Sequence, residues 1–287
     1  MKIQKNISLA KFTTFKIGGK AKYFVKVKTK KDIVEAVKFA RENKLRFFVL
    51  GGGANSLALD EGFNGLIIRI RNSKFEIRKS KIIAGAGTLL KNLVSASAGA
   101  SLSGLEWAAG IPASLGGSVY GNAQAFSFNM ADIIEEVEVL DSKDYKVRKL
   151  NNKQCEFSEK NSIFKRNKNL IILSAVLKLK KGEKEEIKKI IREHLDLRKE
   201  RHPLDYPSAG SVFVNKPDRE PSSYLIEKAG LKGRKVGNAQ VSEKHAGFIV
   251  NLGGATCKDV LELIKIIKKE VKNKFKISLK EEIQIIK

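Results

Sequence analysis

The chain has 287 residues, 42% hydrophobic and 30% charged, with 56 Lys and Arg against 31 Asp and Glu for a net charge of +25. At about 100–200 residues per domain this is two or three domains with a sizeable core, and collagen-like, low-complexity and wholly disordered chains are excluded. No apolar run of about 18 residues is present and the opening MKIQKNISLAKFTTFKIGG has no signal-peptide core, so no membrane insertion is expected and a cytoplasmic location is.

Residues 21–28 (AKYFVKVK) read as a strand, and 31–43 as a helix with Ile33, Val34, Val37 and Ala40 on one face. RFFVL at 46–50 reads as a short buried strand broken by Gly51-Gly52-Gly53. Strand-like segments follow at 66–71, 74–79 and 81–86, then helical patterns at 88–98 and about 113–121. EVEVLDSKDYKVRKL at 136–150 predicts a hairpin around a DSKD turn, and 170–180 a strong strand. A helix at 183–200 must stop before Pro203, which opens a cluster holding four of the five prolines. A helix at 222–229, a strand at 246–251, a helix at 257–273 and a strand pair at 275–286 complete the expected order, a mixture of α and β elements.

Charge and glycine are unevenly placed. Of the 40 residues between Lys91 and Asp132, only Glu106 is charged, and 13 of the 23 glycines lie in 49–121. Leu, Ile, Trp and Val run through this stretch, so it is not a solvated linker. It reads as backbone packed closely against another element or a large ligand approached through main-chain N–H groups. The lysine excess lies instead in the helical patterns, with few interleaved aromatics, and reads as solvated surface. A basic polyanion-binding protein would explain the charge but not the uncharged stretch, so no nucleic-acid partner is expected.

Two segments carry chemistry. In the first, Val49-Leu50-Gly51-Gly52-Gly53-Ala54-Asn55-Ser56, a strand runs into a glycine turn that can offer N–H groups to a phosphate. It matches the dinucleotide fingerprint only in part, no sustained helix follows, and Arg69 and Arg71 stand where a ribose-binding acid belongs, which disfavours a Rossmann fold. The second is Gly110-Ile111-Pro112-Ala113-Ser114-Leu115-Gly116-Gly117-Ser118-Val119-Tyr120-Gly121-Asn122-Ala123, with Ser114 as a potential helix cap. Gly116 and Gly117 each cost a helix about 1 kcal/mol against alanine. That cost is reasonable where a flat ligand or another helix must come close.

VLGGGANSL, GAGTLL and SGLEWAAGIPASLGGSVYGNA, in this order, resemble the flavin half of the UDP-N-acetylenolpyruvoylglucosamine reductase family. Thr13–Gly19 (TTFKIGG), PSAGSVF at 207–213, LIEKAGLKG at 225–233, AQVSEKHAGFIVN at 239–251 and LKEEI at 279–283 extend the resemblance over essentially the whole chain, in the shorter subtype. The resemblance implies an α+β chain: a two-part FAD-binding module of vanillyl-alcohol-oxidase type with a smaller α+β substrate-binding domain. It places the FAD-binding subdomains at 1–66 and 67–182, the substrate domain at 200–274, and at 275–287 a C-terminal strand returning to the active site.

The implied reaction reduces the enolpyruvyl ether of UDP-N-acetylglucosamine to UDP-N-acetylmuramate for peptidoglycan, with non-covalent FAD, NADPH as reductant and a monomeric enzyme. The implied proton donor is Ser211. Glu282 is the matching C-terminal glutamate, although adjacent Glu281 leaves that choice dependent on register. Lys160 stands where the family carries a catalytic arginine, with Lys165 or Arg166 as the alternative cations. The flavin contacts are expected from Gly51, Gly52, Gly53, Ala54, Asn55 and Ser56, and from Gly110, Ile111, Pro112, Ser114, Gly116, Gly117, Ser118, Gly121 and Asn122. His245 and Asn251 are the substrate-binding candidates. Another oxidase or dehydrogenase on the same scaffold is the runner-up, disfavoured by PSAGSVF and the C-terminal glutamate. No histidine precedes His194, so flavin attachment through histidine in the first half is impossible. Cys155 and Cys257 make neither a disulfide scaffold nor a metal site.

Overall fold

The structure, a computed structural model, describes residues 1–215 and 218–287. Its helices are α1 (Lys30–Glu42), α2 (Leu90–Gly99), α3 (Leu115–Gly121), α4 (Ile163–Arg166), α5 (Lys184–Arg201), α6 (Ser222–Lys228) and α7 (Cys257–Phe275). None among the described residues is long and apolar enough to cross a membrane. The chain divides into two compact units: Met1–Ile3, Phe24–Gly52 and Leu66–Arg198 form one, and Gln4–Tyr23, Gly53–Gly65 and Lys199–Lys287 the other. These units divide the chain by packing, whereas the boundaries implied by the resemblance divide it by ligand.

In the first unit, α1 forms because its apolar residues recur at helical spacing, burying Ile33, Ala36, Val37 and Ala40. Thr29 and Asp32 close a reciprocal capping box at its start. The strand Phe47–Leu50 pairs in parallel with Phe63–Ile70, and only its Leu50 is fully buried. A five-stranded antiparallel sheet runs in the order Val147–Asn151, Ile134–Asp141, Leu170–Lys178, Lys81–Gly85 and Phe75–Arg78. The hairpin expected at 136–150 forms its first two strands. In α5 the apolar period does mark a helix, but only Ile187 is fully buried.

In the second unit, Ser208–Ser211, Phe248–Asn251, Ala239–Val241 and Lys235–Val236 form an antiparallel sheet in that order. Helix α7 lays Val260, Leu263, Ile264, Ile267 and Val271 into a core shared with Phe15, Val212, Phe213 and Ile249. Each such side chain contributes about 1.5–3 kcal/mol on burial. The first turn of α7 is capped twice. Thr256 and Asp259 make a capping box, and the Asp60 carboxylate accepts from the N–H groups of Cys257 (2.8 Å) and Lys258 (3.0 Å).

The expected strand pair at 275–286 does not form. Helix α7 continues to Phe275 and ends at Lys276 in the left-handed region (φ 59°). Of the remainder only Gln284–Ile286 is a strand, and it pairs in parallel with Ser56–Ala58. The helical period carries through Val271, and the last strand takes a partner remote in sequence.

Candidate functional site

Ser208–Ser211 is short and built of small residues, and its geometry follows from its neighbours. Its pairing with Phe248–Asn251 is irregular between Ser208 and Ser211, and Gly210 there has φ +74° with open space around it. Glycine takes that conformation without strain, so the chain bulges and turns out the next residue, Ser211. The flanking Ala209, Val212 and Phe213 are buried, which holds the segment rigidly. Among the described residues, no protein group bonds the Ser211 hydroxyl.

The C-terminal segment lies along the other side of PSAGSVF. The N–H of Glu282 donates to Val212 O at 2.8 Å, that of Val214 donates to Lys280 O at 2.9 Å, and Phe213 bridges to Glu281. Ser211 and Glu282, 71 positions apart, thus sit on adjacent segments of one unit. Asn55 holds the C-terminal segment, its Nδ2 donating to Glu282 O at 3.2 Å and its carbonyl accepting from Gln284 N–H at 3.0 Å. Glu281 is paired with Lys268 at 2.7 Å. Burial pushes its carboxyl up, but the Lys268 hydrogen bond and charge outweigh this and hold it below the ordinary value.

His245 is half-buried, with Phe248 4.9 Å and His202 5.5 Å from its ring. Burial holds its pKa below the ordinary histidine value. Its Nδ1 accepts from Gly247 N–H at 3.1 Å, which leaves the ring proton on Nε2. Asn251, 4% exposed, donates to Phe15 O and accepts from the N–H groups of Gly253 and Ala255. Its carboxamide is committed to the fold.

The two glycine-rich segments meet within the first unit. Ser114 takes the N-cap position of α3, but its hydroxyl caps no helix N–H. It accepts from Gly52 N–H at 3.1 Å, and a Cβ on Gly51 would lie 2.4 Å from the same oxygen. Gly116 packs against Ala86, whose Cβ would lie 2.8 Å from an added one. Gly110 lies against Leu195 and Arg198 of α5. Close backbone packing therefore accounts for several of these glycines. Gly121 faces open space, and Gly117 meets only the Ser114 hydroxyl, at 3.5 Å. Ser118 donates to Ser114 O at 3.0 Å. In the second unit, Gly53 (φ +74°) lies so near Phe12 O that no side chain fits.

Comparison with known proteins decides the identity. The C-terminal domain of UDP-N-acetylenolpyruvoylglucosamine reductase matches residues 202–286, and an FAD binding domain matches 21–151. The UDP-N-acetylenolpyruvoylglucosamine reductase of Caldanaerobacter subterraneus subsp. tengcongensis is 41% identical, over 99% of this chain and 94% of its own. That of Fervidobacterium nodosum is also 41% identical, over 98% and 91%. The crystal structure of the Thermus caldophilus enzyme superposes with a TM-score of 0.86 at 35% identity, covering 99% of both chains. The chain belongs to the UDP-N-acetylenolpyruvoylglucosamine reductase family.

The residues present fit the flavin that this family's FAD-binding domain implies. Among the described residues, the N–H groups of Gly53, Ala54 and Asn55 donate to no protein acceptor, which leaves main-chain donors for a pyrophosphate. Thr88 Oγ1, in the GAGTLL segment, is buried with no protein partner. Cys155 is buried and its thiol is pushed up to about 12 by burial, which suits it poorly to covalent attachment.

Lys160, the cation expected from the resemblance, occupies a tight turn in the left-handed region, at φ +51°. The alternative cations have other tasks. Lys165 Nζ donates to Lys160 O at 3.0 Å, and Arg166 pairs with Glu156. Sequence reasoning missed the internal tasks of Ser114 and Asn122, because Gly52 and Ser158 lie 62 and 36 positions from them.

Proposed function

We propose that this chain reduces the enolpyruvyl ether of UDP-N-acetylglucosamine to the lactyl ether of UDP-N-acetylmuramate, with FAD resident and NADPH as reductant. The observation that carries this reading is the docking of PSAGSVF against the C-terminal segment, which puts Ser211 and Glu282 on neighbouring segments of backbone. FAD, when bound, would supply the hydride chemistry that the enolpyruvyl double bond needs.

A proton must also reach one carbon of that bond, and Ser211 is the group that delivers it. A serine hydroxyl is a poor acid in water, so it acts only toward a strongly basic carbon where water is excluded. Among the described residues its hydroxyl has no protein partner and its flanking residues are buried, which suits that role. Glu282 polarises the substrate carboxylate or relays the proton. Lys160 provides a point charge for the enolpyruvyl carboxylate. It lacks the bidentate fork of arginine, so it orients that group less strictly. His245, neutral with its proton on Nε2, donates a hydrogen bond to the substrate. Within Gly51–Ser56, the main-chain N–H groups of Gly53, Ala54 and Asn55 hold the pyrophosphate, since that of Gly52 is taken by Ser114.

The test is Ser211→Ala, followed in two half-reactions by flavin absorbance. Bleaching by NADPH should keep its rate, and reoxidation by the enolpyruvyl substrate should slow about 10²–10⁴-fold. Equal slowing of both halves contradicts the assignment.

A further inference from the structure

The turn that presents Lys160 is gripped by the segment leaving helix α3. Ser158 and Asn161 close the turn with two backbone bonds of 3.1 Å, and Lys160 lies inside it. Asn122 donates from Nδ2 to Ser158 O at 3.0 Å. Its Oδ1 accepts from Ala131 N–H, also at 3.0 Å. A carbonyl can only accept and an N–H can only donate, so these partners fix the orientation of the amide. Ser162, fully buried, donates to Tyr120 O at 2.7 Å, and Gln124 Nε2 donates to Glu159 Oε1 at 2.5 Å. Residues 120–124 therefore hold 158–162 at three points.

Asn122 itself ends α3 in the left-handed conformation (φ 44°, ψ 61°) and is 5% exposed. Backbone geometry alone would be met by glycine, the commoner residue at such a helix end. The asparagine adds the grip on Ser158, and its amide is then fully oriented within the protein.

We propose that Asn122 is a positioning residue for substrate reduction: it anchors the 158–161 turn, and with it the Lys160 ammonium, to the end of the glycine helix. This rests on the reading above that gives Lys160 the substrate carboxylate. Misplacement of such a group by about 1 Å can cost a factor near 10². Any loss should therefore appear in the step that reduces the enolpyruvyl double bond, and not in the step that reduces the flavin.

The experiment uses full-length holoenzyme with Asn122→Gly, which keeps the backbone conformation and removes the amide. Flavin bleaching by NADPH should stay within about twofold of the parent, while reoxidation by the enolpyruvyl substrate slows about 10- to 100-fold. Because Asn122 acts through Lys160, adding Asn122→Gly to Lys160→Ala should slow that step no further. Multiplying effects in the double variant, or equal slowing of both half-reactions, overturns the inference. If Asn122→Gly does not retain flavin, Ser162→Ala removes the grip at the other end of the turn and must show the same split. A fully active Lys160→Ala sinks the Lys160 assignment and this inference with it. A slow Lys160→Ala beside a fast Asn122→Gly overturns this inference alone.

Discussion

Replacing Lys160 with glycine separates what the turn wants from what the chemistry wants. At φ +51° an L-residue carries a left-handed penalty of about 1–2 kcal/mol. Glycine removes it but returns about 0.4–1 kcal/mol through a more flexible unfolded chain. The backbone terms of Lys160→Gly therefore sum to between no change and about 1.5 kcal/mol of added stability, a rise of a few degrees at most. The bond from Lys165 Nζ to the carbonyl of residue 160 survives, since it uses backbone. Substrate reduction should fall by about 10²–10³, the usual effect of removing one charge stabiliser. Lys160→Arg keeps both the strain and the charge, so it should keep the parent stability and retain or raise activity. The assays are thermal unfolding and anaerobic stopped-flow reoxidation of reduced flavin. A destabilised Lys160→Gly shows that the residue serves the fold. A stable, fully active one shows that the cation is not needed.

Asp60→Ala removes the acceptor of two N–H groups at the start of α7 and should cost about 1–2 kcal/mol in denaturant unfolding, without changing the bound-flavin spectrum. His245 has a folded pKa below its unfolded value of about 6.5. Its neutral form thus contributes stability that is complete above that value and lost as pH falls below it, because the unfolded chain takes up the proton first. His245→Asn should flatten the stability profile below about pH 6.5, as measured by urea midpoints. An unchanged slope would mean that the ring is not held neutral.

Local pattern made much of the fold readable. The faces of α1 and α7 and the EVEVLDSKD hairpin carry periods of 3.6 and 2, and these elements form near where the periods put them. The site was readable as motifs, because glycine-rich turns and PSAGSVF stand out in a lysine-rich chain. Pairing between distant segments was not readable. Ser208–Ser211 has no strand-like side chains and is a strand because Phe248–Asn251 pairs with it. The end of the chain looks like a hairpin until Gln284–Ile286 is seen against Ser56–Ala58. Ser114 looks like a helix cap, yet its oxygen serves a glycine 62 positions earlier. Asn122 looks like a ligand contact within a glycine-rich stretch, yet its amide binds Ser158 and Ala131. In each case local chemistry permits the role and a remote partner decides it.

The most direct test of the central claim is the visible spectrum of the purified parent protein through one anaerobic turnover. The account predicts a yellow protein that NADPH bleaches and that one equivalent of the enolpyruvyl ether of UDP-N-acetylglucosamine returns to yellow, with UDP-N-acetylmuramate formed in equal amount. A colourless protein that takes up no FAD, or a reduced flavin that this substrate leaves bleached, would contradict it.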